Sequence, residues 1–145
     1  MAHHTKDKGD TGVGNVIAHL MSSGIKVALP LCEHLPFDLI AISERGELRR
    51  LSVKYRSLED SGTIAVSFRS SWADRHGSHM KPHDMTSYDA TAIFCPETKD
   101  CYFVRNDEVG TVQDFTIRIE QPKKLGKQKS IRWANSYKGA GRLFE

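Results

Sequence analysis

Hydrophobic positions change period along the chain. Val13, Val16, Ile17, Leu20 and Met21 fall at i, i+3, i+4, i+7 and i+8, one face of a helix. Asp10 or Thr11 caps its start and Gly24 ends it. A period of two then takes over. Ile25–Pro30 reads as a short strand stopped by proline, and Phe37–Ile42 as a β-prone run broken only by Asp38. After a turn at Glu44-Arg45-Gly46-Glu47, the segment Leu48–Ser57 alternates. Leu51, Val53 and Tyr55 point one way, and Arg50, Ser52, Lys54 and Arg56 the other. Gly62–Ser70 reads as a third antiparallel strand, with Ile64, Val66 and Phe68 on one face.

Trp72–Ser87 has no apolar period and is expected to be a long loop, of the kind that often carries function. Strands are expected at Tyr88–Cys95, Cys101–Arg105 and Phe115–Glu120, and a short terminal helix at Ser130–Tyr137. Helix, strands, loop, strands, helix is the order of an α+β domain around a mixed sheet. At 145 residues the chain fits one domain, residues 1–145.

Charge adds a direction. The formal net charge is +3, but from Gln121 onward seven Lys or Arg face a single acid, Glu145. A near-neutral body with a cationic end points to a polyanion, nucleic acid ahead of membrane. No apolar run approaches the roughly 20 residues that span a bilayer. The polar N-terminus shows no signal-peptide pattern, and Cys32, Cys95 and Cys101 form no CxxC pair. These features point to reduced thiols and a cytoplasmic protein, even though Cys95 and Cys101 flank a turn.

The chemistry concentrates in Glu33-His34-Leu35-Pro36-Phe37-Asp38-Leu39-Ile40-Ala41 and Leu51-Ser52-Val53-Lys54-Tyr55-Arg56. Asp38 interrupts an apolar strand, and Lys54 lies on the next one, so a hairpin makes them neighbours. Periodicity alone allows an ion pair that only closes the hairpin. The ordered words Pro-Phe-Asp-Leu-Ile-Ala, turn, Val-Lys-Tyr-Arg resemble the PD-(D/E)xK nuclease superfamily, nearest its small group I intron-encoded homing endonucleases. Lys8-Gly9-Asp10-Thr11-Gly12, Gly24-Ile25-Lys26-Val27, Ile117-Arg118-Ile119 and Ile131-Arg132-Trp133-Ala134 extend the resemblance over most of the chain.

The resemblance implies a restriction-endonuclease-like core, a central mixed sheet flanked by helices. It also implies hydrolysis of a phosphodiester in double-stranded DNA with Mg²⁺. On it, Asp38 and the Val53 carbonyl are metal ligands. Lys54 positions the attacking water or stabilises transition-state charge. Ser52 occupies the third catalytic position, where the family carries an acid or Gln, and Val13 stands where its first helix carries Glu. Asp10 and Glu33 are the nearest carboxylates to replace them. Lys123, Lys124, Lys127, Lys129 and Arg132 are the expected phosphate contacts, and a homo-oligomer (dimer or tetramer) is implied.

Three other functions fit the same residues. One is a structure-selective nuclease of the Holliday-junction type. Another is a DNA-binding module of this fold that has lost catalysis, which Val13 and Ser52 favour and Asp38 and Lys54 oppose. The third is a protein-interaction subunit with an incidental basic tail. His76, His79 and His83 lack a fourth zinc ligand, and Gly77 and Pro82 break any helix that would align them. Gly9, Gly12 and Gly14 follow no strand, so they do not make a dinucleotide-binding turn.

Overall fold

A computed structural model describes residues 4–124 and 130–145. It opens with a 19-residue helix, α1 (His4–Ser22). The helix begins six residues before Asp10, where capping residues suggested its start. His4–Asp10 are all exposed. An apolar period marks only the part of a helix that touches something, so these turns left no trace in the pattern. Over the sheet, Val16 and Leu20 are fully buried, and Gly12 is buried with them. A Cβ at Gly12 would meet the Tyr55 and Val53 side chains at 3.5 and 3.6 Å, ordinary contact distances.

The main sheet has five strands in the order β1-β2-β3-β7-β8. They are β1 (Lys26–Ala28), β2 (Leu39–Ile42), β3 (Leu48–Tyr55), β7 (Ala90–Cys95) and β8 (Asp100–Arg105). The first three form an antiparallel meander, and β7 and β8 an antiparallel hairpin. The two halves join through a parallel pairing of β3 with β7, in which Leu51 lies beside Ala90 and Tyr55 beside Phe94. Parallel neighbours need a long crossover. It is supplied by β4 (Thr63–Ser67), β5 (Arg69–Asp74) and β6 (Gly77–Pro82).

Gly62–Ser70 is therefore not a third strand of the main sheet. β4 pairs instead with β9 (Asp114–Arg118), and the two cover the face opposite α1. The Trp72–Ser87 expectation is also corrected: β5 and β6 form a six-rung antiparallel hairpin from Arg69/Pro82 to Asp74/Gly77. This ribbon buries almost nothing, so its alternation has no apolar side for a sequence reader to see.

The sheet divides the core in two. Leu39, Ala41, Leu51, Ala92 and Phe103 pack under α1. Ile93, Cys95, Tyr102 and Val104 pack on Ile64, Val66, Phe115 and Ile117 of the smaller sheet. Cys95 pairs across the hairpin with Asp100, and Cys101 with Phe94, so the two thiols sit on opposite faces and both are free. Burial pushes the Cys101 thiol up to about 12, helped by the Asp100 carboxylate. Cys32 is the exposed cysteine. The expected helix at Ser130–Tyr137 contracts to a 3₁₀ turn at Ala134–Tyr137, and a second 3₁₀ turn spans Ala140–Phe144. Both dock through Ala134, Ala140 and Leu143.

The C-terminal cations are partly spent on this docking. Arg142 forms a two-pronged bridge to Glu108, at 3.0 and 2.6 Å, beneath the short helix α2 (Asn106–Val109). Lys138 bridges Asp100 at 3.0 Å. No helix among the described residues is long and apolar enough to cross a membrane.

Gly14 sits inside α1 with nothing within 4 Å of a built Cβ. Gly14→Ala is expected to stabilise the fold by about 1 kcal/mol, the helix-propensity difference. Urea denaturation with an unchanged m-value checks this. Leu51→Ala, under the helix, should cost about 2–5 kcal/mol in the same assay.

Candidate active site

The site forms where β2 ends before β3 does. Pairing of the two strands runs as far as Leu39 beside Leu51. Asp38 still donates its N–H to the Leu51 carbonyl at 2.8 Å, and the chain then turns away. Val53 is left without a strand partner on that edge. Its N–H donates instead to Asp38 Oδ2 at 2.7 Å. A residue in a strand projects its N–H and C=O toward the same edge. The Val53 carbonyl therefore faces the side on which the Asp38 carboxylate is held.

The hairpin geometry differs from the simple expectation in one respect. Among the described residues, Asp38 makes no ion pair with Lys54. Asp38 is exposed rather than buried in the strand, so it needs no cation to compensate it. Its structural partner is a backbone amide, which fixes one carboxylate oxygen and leaves the other toward solvent.

Ser52 and Lys54 occupy the opposite face of β3 from Val53. Together they line a cleft of about 480 Å³ with Pro36, Ser70, Lys81 and His83. Asp84, Ser87 and Tyr88 complete its wall. Ser52 is buried and Lys54 half-buried. Burial lowers the Lys54 ammonium pKa and the nearby Arg56 lowers it further, while Asp38 pulls it back up. His83 is also held below its ordinary value, by burial first and then by Lys54. Its backbone is fixed by an N–H donated to the Phe68 carbonyl at 2.8 Å, and Tyr88 Oη lies 3.5 Å from Nδ1. No spacing or motif links His83 to Lys54; the crossover between β3 and β7 brings both to one cleft.

The other expected residues are more scattered. Val13 packs half-buried against the α1-side core, so no carboxylate occupies that position. Asp10 and Glu33 are exposed, and Glu33 lies 3.9 Å from His34. Neither joins Asp38 in a group of three metal-ligating side chains; no such group exists among the described residues. His79 pairs with Asp74 and His83 lines the cleft, so the histidines do not converge. Lys123 and Lys124 are exposed. Arg132 is exposed but rests its guanidinium over the Phe115 ring at 4.5 Å. Lys127 and Lys129 lie outside the described residues.

The donor set is compatible with Mg²⁺. This ion keeps several waters and often takes only one or two carboxylates, with substrate phosphate completing its shell. One free carboxylate oxygen of Asp38 and the Val53 carbonyl are the protein's available ligands. Ser52 contributes a neutral hydroxyl where a second carboxylate would strengthen binding.

A strand-edge carboxylate is thus followed across the hairpin by a cleft-facing lysine, on a mixed sheet with a helix packed beneath it, in the order that the sequence resemblance leads one to expect. The sequence model of the PD-(D/E)XK endonuclease family matches residues 3–140, and the chain belongs to that family. Its fold is similar to the solved structure of a bacterial homing endonuclease, I-Ssp6803I, with a TM-score of 0.73 and 21% identity. The alignment covers 97% of this chain and 92% of that one. No curated protein matches the sequence. The restriction-endonuclease-like α+β fold expected from the sequence is the one observed.

Two outcomes follow from the site geometry. Asp38→Asn keeps an oxygen for the Val53 N–H, so its melting temperature should stay within about 2 °C of the parent, equivalent to a surface change. Lys54→Met removes a half-buried charge at nearly constant volume and should raise the melting temperature at pH 7. Because the Lys54 pKa is depressed in the fold, the unfolded chain binds the extra proton between that value and the ordinary 10.5. Parent stability from this group therefore rises with pH through that window. The advantage of Lys54→Met should shrink toward about pH 10, which melting curves at both pH values would reveal.

Proposed function

We propose that the chain is a Mg²⁺-dependent endonuclease that hydrolyses phosphodiester bonds in duplex DNA. The observation that carries this reading is the Asp38 carboxylate locked by the Val53 N–H at 2.7 Å, beside a cleft-facing Lys54. Asp38 and the Val53 carbonyl would hold the ion, which when bound supplies Lewis-acid activation of water and charge neutralisation at phosphorus. Asp38 is oriented before any substrate arrives, because its second oxygen is already bonded to the backbone. Lys54 would bring its ammonium to a non-bridging phosphate oxygen or to the attacking water. Its half-buried position makes that charge more effective than a solvated one. Ser52 would donate its hydroxyl to the same phosphate.

Phosphate affinity away from the reacting centre would come from Lys123, Lys124, Lys127, Lys129 and Arg132, with Lys81 nearer the cleft. Arg142 and Lys138 are committed to Glu108 and Asp100 and belong to the scaffold. A symmetric dimer or tetramer of so short a chain would read two half-sites of a longer target. The bacterial homing endonuclease with which the fold is shared supports, by analogy, a sequence-specific duplex as substrate.

A second reading, a DNA-binding module without catalysis, is favoured by Ser52 and Val13 at positions where the family carries other side chains. One set of assays decides between them. Supercoiled plasmid is incubated with protein and Mg²⁺, then with EDTA, and binding of a 30-base-pair duplex is followed at rising salt. The nuclease reading expects nicking or linearisation that EDTA stops. Asp38→Asn should lose at least 100-fold in rate while binding duplex as tightly as the parent or tighter. Lys54→Ala should slow cleavage and keep the Mg²⁺ dependence. Ser52→Asp, which supplies a second carboxylate, should lower the Mg²⁺ concentration needed for half-maximal cleavage. Duplex binding without cleavage in any divalent metal would favour the module. Cleavage of four-way junctions but not linear duplex would favour a junction-selective enzyme. Affinity that ignores salt would remove the phosphate contacts, since counterion release makes them strongly salt-dependent.

A further inference from the structure

The β5–β6 ribbon has no evident structural reason to be as it is. It is a two-stranded sheet separate from both others. Ten of its twelve residues are exposed; only Arg69 and His79 are partly covered. A lone hairpin is marginally stable in water. Yet it carries a tryptophan that is 49% exposed and touches neither core cluster.

Register gives the ribbon a working face. Ser70 pairs with Lys81, Trp72 with His79, and Asp74 with Gly77. Directly paired residues, and those two apart on a strand, share a face. Ser70 and Lys81 line the Lys54 cleft, so Trp72 and His79 continue that wall outward. Their rings stack at 5.3 Å with planes 24° apart. His79 Nε2 lies 3.0 Å from Asp74 Oδ1, the same oxygen that accepts the His76 N–H at 2.7 Å. Both rings are thus ordered in the free protein, which lowers the entropy lost when they contact a ligand.

We propose that this ribbon enters the major groove next to the scissile phosphate and that the stacked Trp72–His79 pair is its specificity-determining contact. The proposal rests on the nuclease reading above. Three features commit the face to duplex DNA. It continues from the catalytic cleft without interruption. Its charged side chains between Arg69 and His83 are three cations and one acid, Asp74. A two-stranded ribbon also matches the width of the major groove. Trp72 Nε1–H is a donor and the second ring nitrogen of His79 is free to donate or accept, so the pair can address base edges.

The ribbon also sets a distance. Trp72 and His79 lie two residues beyond Ser70 and Lys81, roughly 7 Å at the rise of a strand. The turn at Asp74 lies roughly 13 Å beyond. Bases are spaced about 3.4 Å along each strand, so the step from the cleft wall to the pair spans about two base pairs and the step to the turn about four.

The test is a cleavage selection on a linear duplex library with 20 randomised base pairs, run on the parent, Trp72→Ala and His79→Gln. The parent should select a sequence. Both variants should lose about 10-fold discrimination at one short run of base pairs, the same run in both, with selection elsewhere kept. Unchanged melting curves would show that the ribbon was not needed for folding. Two variants guard against failure of one to fold. Selection by the variants identical to the parent's overturns the proposal. So does a parent that cuts duplex with no sequence preference. Loss of oligomer on sedimentation by Trp72→Ala, with the selected sequence kept, would reassign the face to a subunit contact and overturn it too. A parent that neither binds nor cuts duplex would remove the nuclease reading itself, an outcome distinct from the other three.

Discussion

The parallel pairing of β3 with β7 is the constraint on which the rest depends. It makes β3 a central strand, with Leu51, Val53 and Tyr55 under the helix and Ser52 and Lys54 on the other face. It also compels a crossover long enough to hold three strands. That crossover brings His83 and Lys81 against Lys54 and closes one side of the cleft. On its other edge β3 outruns its partner by the length that leaves Val53 unpaired. Asp38 supplies the missing acceptor. Fold and candidate chemistry thus meet at one strand, each of whose edges has a different task.

The site is polarised electrically as well as spatially. Asp38 stands at the solvent side, and a lysine under a desolvation penalty stands in the cleft. Such a penalty is a standing cost to stability that a purely structural residue would not need to carry. A phosphate entering between them would find a cation whose charge water screens poorly. Arg56, which lowers Lys54 further, is itself lowered by burial, so two half-buried cations stand near one another on this strand.

Much of this was legible in the sequence, for identifiable reasons. The helix from Val13 to Met21 and the strands β2, β3, β7, β8 and β9 each bury one apolar face or two, and burial is what periodicity records. Asp38 and Lys54 stood out because each interrupts or punctuates such a pattern. What escaped was whatever buries little. The first two turns of α1 are wholly exposed, and the β5–β6 ribbon alternates between polar and polar. Nor can periodicity distinguish a strand that joins the main sheet from one that leaves it, which is how β4 was misplaced. The relation of Asp38 to Val53 rather than to Lys54 depends on where one strand stops, and no side-chain pattern encodes that.

The three cysteines have a further consequence. Cys95 and Cys101 lie in separate halves of the core, each under packed side chains, while Cys32 is open to solvent on the segment that leads from β1 to Asp38. In the folded state the protein behaves chemically as though it had one thiol. A maleimide dye would therefore mark a single position, six residues before Asp38, in a protein whose cysteines need no engineering.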